Sequence, residues 1–461
     1  MLAEVYKVPG KLDCLKPTDV LALERLHYTS FHLCALIFLV CAVIHTLLVD
    51  KIHAYARIVE TREAHRYPSA ERSLFVQTLL FLSEVEVVFA IWAIPLFLTL
   101  AGYYGLSTAL EYINTRDYTE ALFVVVILSI SSTRPILHFA EKIIRFLARG
   151  LGGSLSAWWF VLLTFGPLLG SFITEAGAMA ITALLLSKQF YDHHPSNKLA
   201  YGTLGLLFTN ISVGGVLTNF ASPAVLILSH AWHWSNWDVF YTFGWKAVIG
   251  ILLVNLAYWA YFRRELYELN LHKKPTPDHN GDHPPPVWII LAHLFFLALI
   301  VMTSEYPAIF FATFLFFLGF HQGTRHHQHS LQLVRPLLVG LFLAGLVILG
   351  GLQGWWVLQI LQDLSPKEVL GVALGLTAFN DNAAIAYLSI LIPDLTPAFK
   401  YALFTAVIAG GGLTVIANAP NPAGYVMLAK HFGGSISAWR LFLAAFPCTM
   451  IFYAVFSLLS M

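Results

Sequence analysis

Charged side chains are scarce in this sequence. Asp, Glu, Lys and Arg make up 11% of its 461 residues, hydrophobic residues make up 58%, and the mean hydropathy is +0.70. Soluble domains are about one quarter charged, so this composition excludes an ordinary soluble domain and indicates an integral membrane protein. The formal net charge of +1 gives no field that would hold a nucleic acid. Cysteine is sparse too. Cys14, Cys34, Cys41 and Cys448 form no CxxC or other ligand spacing, which argues against a disulfide scaffold and a thiolate metal site. No HExxH, GxSxG or P-loop pattern occurs, so an intramembrane enzyme lacks its signatures and no residue is given a catalytic role. The tandem selectivity loops of channels are missing as well. No cofactor is expected.

What the chain does have is apolar runs of about 20 residues, the length of a spanning helix; barrel strands would be about 10 residues long and alternating. The expected fold is all-α. About ten spans fall at 30–49, 74–101, 119–138, 199–229, 239–262, 286–304, 306–320, 335–351, 400–429 and 439–460. The first run, Phe31 to Val49, starts late and lacks a small-residue cleavage site, so it is expected to be a retained helix. Two further apolar stretches are interrupted, 156–187 by Gly166-Pro167 and Gly170-Ser171, and 366–393 around Thr377 to Asn382. They are expected to be re-entrant hairpins, since broken backbone at membrane depth is tolerated only inside protein or beside a wet cavity.

Lys and Arg collect on the cytoplasmic side of membrane proteins. If both hairpins re-enter, the loops 50–73, 134–155, 187–198, 263–286, 321–335 and 430–440 share one face and hold nineteen Lys and Arg, against Arg116, Lys367 and Lys400 on the other. The N-terminal Lys7, Lys11, Lys16 and Arg25 fall on the poorer side. The chain then divides into a tail, first helix and linker (1–73), a first repeat (74–262), a connecting loop and helix (263–305) and a second repeat (306–461) of inverted orientation.

Two stretches carry the repeat. Gly214-Gly215-Val216-Leu217-Thr218-Asn219-Phe220-Ala221 matches Gly410-Gly411-Gly412-Leu413-Thr414-Val415-Ile416-Ala417, and each leads to a proline, Pro223 or Pro420. Glycine-interrupted segments at matching places in two halves point to a transporter's binding site. Glycines alone would also suit close helix packing. Here they are paired with prolines and amides, and a helix unwound at Gly214-Gly215 or Gly410-Gly411-Gly412 exposes hard oxygen ligands for a small cation. The side chains expected there are Thr218, Asn219, Ser222, Thr414, Asn418 and Asn421. Aligning the hairpins sets Thr174-Glu175-Ala176 over Asn380-Asp381-Asn382, one acid on the other. An acid at membrane depth costs several kcal/mol and marks an ion route, although each could also cap the following half-helix.

This pattern, present twice in inverted halves and preceded each time by a hairpin, resembles the ion transporter superfamily of arsenite efflux permeases, sodium/proton antiporters and sodium-coupled dicarboxylate and citrate symporters. The resemblance covers residues 74–461 and is strongest to the sodium/proton antiporter branch. It implies a homodimer in a bacterial-type inner membrane, and a scaffold domain past which a transport domain moves as an elevator. Each site would be built from a hairpin tip and an unwound helix. Carboxylate-carrying relatives have neutral Ser-Asn-Thr tips, whereas two unit charges at 4 Å repel by about 4 kcal/mol at a dielectric near 20. Glu175 and Asp381 would therefore oppose an anion and favour Na+ in competition with H+. The two acids are expected to meet in one hydrated pocket, with the bilayer, small cations and protons as the partners. The alternative is an organic-anion symporter or metalloid permease of the same fold, whose acids hold only the coupling ion.

Other signals are weaker. Glu84 and Glu86, two apart, cannot share a helix face; one could pair with Lys246 or Arg134, or join the proton route. Arg134 and Arg335, each before a proline, read as snorkelling anchors. The His-rich run His321 to His329 reads as a solvated loop, and tryptophans near segment ends as an aromatic belt.

Overall fold

The structure, a computed structural model, describes residues 30–66, 73–271, 284–328, 330–353, 355–356 and 364–459. The N-terminal tail, much of the 263–286 loop and His329 lie outside the described residues. Among those residues the chain is helical, with no strand.

Helix α1 (Ser30–Arg66) runs 37 residues, far past the expected end at 49, because its polar second half continues the helix. The segment expected as one helix at 74–101 is instead α2 (Leu74–Leu82), a three-residue turn (Val85–Val87) and α3 (Val88–Tyr104). Side chains from α1 fasten this break. His45 Nε2 donates to the freed Leu82 carbonyl at 2.9 Å, its Nδ1 accepts from Trp92 Nε1 at 3.2 Å, and His53 Nδ1 lies 3.1 Å from Ser83 Oγ. After α4 (Leu106–Asn114), α5 (Thr119–Ser131) ends seven residues before the expected 138 and turns by 66° into α6 (Arg134–Gly150). Pro135 starts this amphipathic helix, where a loop was expected.

The remaining helices are α7 (Leu155–Gln189), α8 (Asn197–Gly214), α9 (Pro223–Ala231), α10 (Trp245–Leu271), α11 (Val287–Met302), α12 (Pro307–Gly323), α13 (Val334–Gly350), α14 (Pro366–Phe379), α15 (Asn382–Ile390), α16 (Pro397–Gly410), α17 (Asn421–Leu428) and α18 (Ala438–Leu458). Among the described residues, six helices are long and apolar enough to cross a membrane, or seven if α5 and α6 form one span; α11, α12, α13 and α16 are apolar but only 10–17 residues long. One of the six is α7, the segment expected as a hairpin, so length and composition support five of the roughly ten expected spans, or six with α5 and α6 as one, and they support an integral membrane protein.

Helix α7 folds back on itself. Ile173 and Thr174 leave helical geometry, Thr174 with φ 66° and ψ 153°. A Cβ on Gly166 would strike the Thr182 side chain, and one on Gly170 would lie 3.2 Å from Ala178 Cβ. Residues equally distant from Thr174 therefore touch, as in a hairpin with its tip at that residue. The sequence placed the interruption at Gly166-Pro167 and Gly170-Ser171, yet the chain stays helical at both. Pro167 removes the donor for the Leu163 carbonyl, and Asn210 and Asn255 replace it at 2.9 and 3.0 Å. The glycines instead let the arms approach. The second interruption lies where expected, at Asn380 and Asp381, both outside helical geometry between α14 and α15.

Packing ties the broken elements together reciprocally. Helix α9, which follows the first unwound segment, packs on α15, and α17, which follows the second, packs on α7. At the far end of α9, His230 Nδ1 lies 2.8 Å from Glu120 Oε1 at the start of α5.

Two predictions follow from these contacts. Overpacking typically costs about 1–3 kcal/mol, so Gly166→Val should melt lower than wild type in detergent, whereas Gly319→Ala, with open space around it, should not. Equal melting of Gly166→Val and wild type would mean the arms do not touch. The hydrogen bond that His230 donates to Glu120 raises the His230 pKa, with Asp117 and Glu305 helping and burial opposing. A raised folded-state value makes the pair's stabilisation complete below the unfolded histidine value of about 6.5 and lost as pH climbs through the folded value. Thermal stability should therefore fall from about pH 6.5 upward more in wild type than in Glu120→Gln; parallel pH curves would refute the pairing.

Candidate functional site

Each hairpin tip is bonded to the unwound segment of its own half by the same contacts. In the first half, the Glu175 N–H donates to the Ala221 carbonyl at 3.4 Å and Thr218 Oγ1 to the Ser171 carbonyl at 2.7 Å. In the second, the Asn382 N–H donates to the Ala417 carbonyl at 3.0 Å and Thr414 Oγ1 to the Ala378 carbonyl at 2.8 Å. The glycines repeat the match. A Cβ on Gly215 would lie 2.6 Å from Glu175 Oε1, and one on Gly411 would lie 2.9 Å from Asn382 Nδ2. Gly214 faces the Pro167 carbonyl and Gly410 the Leu374 carbonyl in the same way.

These contacts correct the alignment of the tips by one residue. Glu175 corresponds to Asn382, and Thr174 to Asp381. The first tip turns at one residue in the left-handed φ region, whereas the second turns through two residues of negative φ, Asn380 and Asp381. By these contacts the acids stand one position apart rather than matching each other. Thr174 carries the strain of a positive φ at a non-glycine residue, of order 1–3 kcal/mol, a feature that clusters at functional sites.

Glu175 is buried. Its Oε2 accepts from Asn418 Nδ2 at 2.9 Å, while Glu175 Oε1 and Asn418 Oδ1 are buried oxygens with no hydrogen-bond partner among the described residues. Asn418 comes from the second unwound segment, so the two halves meet at this bond. The Ser222 side chain lies beside Glu175, and Asp381 is near enough to act on it through space. Asp381 is also buried, and its Oδ1 accepts the Ala383 N–H at 2.8 Å as the cap of α15. The acids do not share one pocket. Glu175 lines a cavity of about 190 Å³ with Thr174 and Ser131, whose hydroxyls are 3.3 Å apart. Asp381 lines a smaller one of about 20 Å³ with Asn418 and Glu86.

Other expected ligands have structural tasks. The Asn219 side chain points away from the site: its amide donates to the Trp234 carbonyl at 3.0 Å and its N–H to Asn236 Oδ1 at 2.9 Å. Thr218 and Thr414 spend their protons on hairpin carbonyls. Asn421 Nδ2 donates to the Gly411 and Thr414 carbonyls, both at 2.8 Å, groups that unwinding set free. Asn380 Oδ1 accepts the Asp381 N–H at 3.0 Å and shapes the turn.

Ser131 lines the Glu175 cavity and escaped the sequence reading; Arg335, an exposed side chain, lines it too, and Glu86, weighed for the proton route, lines both cavities. Only the charge of Glu86 within an apolar run hinted at its place. Arg134 borders a vestibule of about 890 Å³ with His138, Lys142, Arg145 and Lys188. Lys246 pairs with neither glutamate; its Nζ donates to the Tyr401 hydroxyl at 3.1 Å and lies 4.6 Å over that ring. Among the described residues, no group of three or more His, Cys, Asp or Glu is gathered as a metal site.

A net hydrogen bond contributes about 1 kcal/mol. Thr218→Val and Thr414→Val, nearly isosteric, should each lower the melting temperature in detergent, and an unchanged melt for either would remove its bond from the account.

A search of curated proteins finds no match. A family model described as "Putative Na+/H+ antiporter" matches residues 30–459. This match agrees with the branch that the repeat resembles, and it implies a transporter rather than an enzyme. The chain belongs to this putative Na+/H+ antiporter family, and that membership supports cation/proton exchange as its activity.

Proposed function

We propose that the protein exchanges Na+, or a similar small cation, for H+ by alternating access, with an inverted repeat and a transport domain that moves as an elevator. One observation carries the ion reading. Among the described residues Glu175 Oε1 and Asn418 Oδ1 are buried oxygens that accept no well-formed hydrogen bond, placed where a hairpin of one half meets the unwound segment of the other. Hard oxygens of this kind attract a small cation, and a proton on the carboxylate removes the charge that holds it. Loading by one excludes loading by the other. A site that crosses only when loaded then couples the two flows.

The matched tip contacts support a repeat. So does the bond from Ser212 Oγ to the Ile408 carbonyl at 2.7 Å, because those positions, two before Gly214 and Gly410, are counterparts. A residue that touches its counterpart lies near a two-fold axis. The reciprocal packing of α9 on α15 and α17 on α7 supports one moving body. The basic vestibule around Arg134, Lys142 and Lys188 favours a second reading, anion transport coupled to the same acids.

In proteoliposomes with an internal pH dye, adding Na+ or Li+ should dissipate a pH gradient, and Glu175→Gln with Asp381→Asn should reduce this to the rate of empty liposomes while inserting normally. Wild-type uptake of labelled dicarboxylate without a response to Na+ alone would establish the second reading instead. Full exchange by the double variant would remove these acids from the site.

A further inference from the structure

Glu86 has no part in the reading above, yet its position is unusual. Among the described residues it is the one ionisable side chain that lines both the Glu175 cavity and the Asp381 cavity. The other residues common to both are Val339 and Ala419, which cannot hold an ion. Glu86 sits in the turn Val85–Val87, where the helix is broken, and broken backbone in an apolar setting persists only where protein or a cavity satisfies it. Both conditions are met: His45, His53 and Trp92 fasten the break on one side, and the cavities lie on the other.

The charged groups around Glu86 are few. Glu84 shares its turn and points outward to an exposed position; Arg335 approaches from α13, Asp381 from the tip before α15, and Glu175 lies across the larger cavity. Glu86 thus links two acids that do not touch. We propose that Glu86 is a third ion-carrying carboxylate, through which a cation or proton passes between the Glu175 cavity and the Asp381 cavity. In a proton step one O–H bond breaks on the donor carboxyl as one forms on the acceptor, and the negative charge moves the opposite way; no further reactant is needed. Arg335 offsets the charge of an emptied Glu86. This inference rests on the cation/proton reading, and it adds a carboxylate carried by the α2–α3 segment rather than by a hairpin.

The test uses wild-type protein treated with a hydrophobic carbodiimide, which attacks protonated buried carboxyls, with labelling read residue by residue by mass spectrometry. Na+ should shield Glu86 along with Glu175. In proteoliposomes Glu86→Gln should exchange about tenfold or more slowly with an altered pH profile and an unchanged melting temperature, and Glu86→Asp should recover most of the rate. Glu86 labelling indifferent to Na+ while Glu175 is shielded would overturn the proposal, as would wild-type exchange by Glu86→Gln. Where Glu86→Gln fails to insert, the labelling of wild type decides. Wild type that neither exchanges nor shields Glu175 would instead sink the cation/proton reading.

Discussion

Every distinctive feature of this molecule follows from one constraint: a helix broken inside an apolar body leaves backbone groups that must find partners. Each freed carbonyl or amide unmet by water or protein costs on the order of 1–3 kcal/mol. The chain breaks its helices at five or more places and meets the freed groups from elsewhere in the fold. His45 serves the Leu82 carbonyl, Asn210 and Asn255 serve Leu163, and Asn421 serves Gly411 and Thr414. Hairpin tip and unwound segment also satisfy each other, through the Glu175 and Asn382 amides and the Thr218 and Thr414 hydroxyls.

The same constraint produces the site. Among the described residues this mutual satisfaction leaves buried oxygens without a hydrogen bond, Glu175 Oε1 and Asn418 Oδ1 above all, and in the proposed function these receive the cation. Glycine at 215 and 411 is required by space, because a Cβ there would displace the carboxylate or amide that faces it. The two tips have diverged within a shared frame. One acid stands just after a strained threonine and is held by an amide of the opposite half; the other caps its own helix. The two tips therefore present unlike groups, which suits the proposed choice between a metal ion and a proton.

Much of the architecture was legible in the residues. The glycine-threonine-proline pattern located both unwound segments, and the buried acids located both tips, because a duplicated departure from apolar character has few structural explanations. Boundaries were less legible. The chain stays helical at Gly166-Pro167 because two distant asparagines replace the missing donor, and it breaks at Ser83 because two distant histidines hold the break. Asn219 looked like a ligand by position alone; the turn at Trp234 to Asn236 claims it.

By itself, the sequence determined the membrane character, the helical class, the two matching glycine stretches and the acids at the tips, since composition and spacing encode what a segment can bury and where it must unwind. Tertiary structure alone decided which acid pairs with which amide, the one-residue shift between tips, and the place of Glu86 between two cavities. Those are distances between segments up to several hundred residues apart, and no local pattern carries them: partner choice depends on which groups the folded chain leaves unsatisfied.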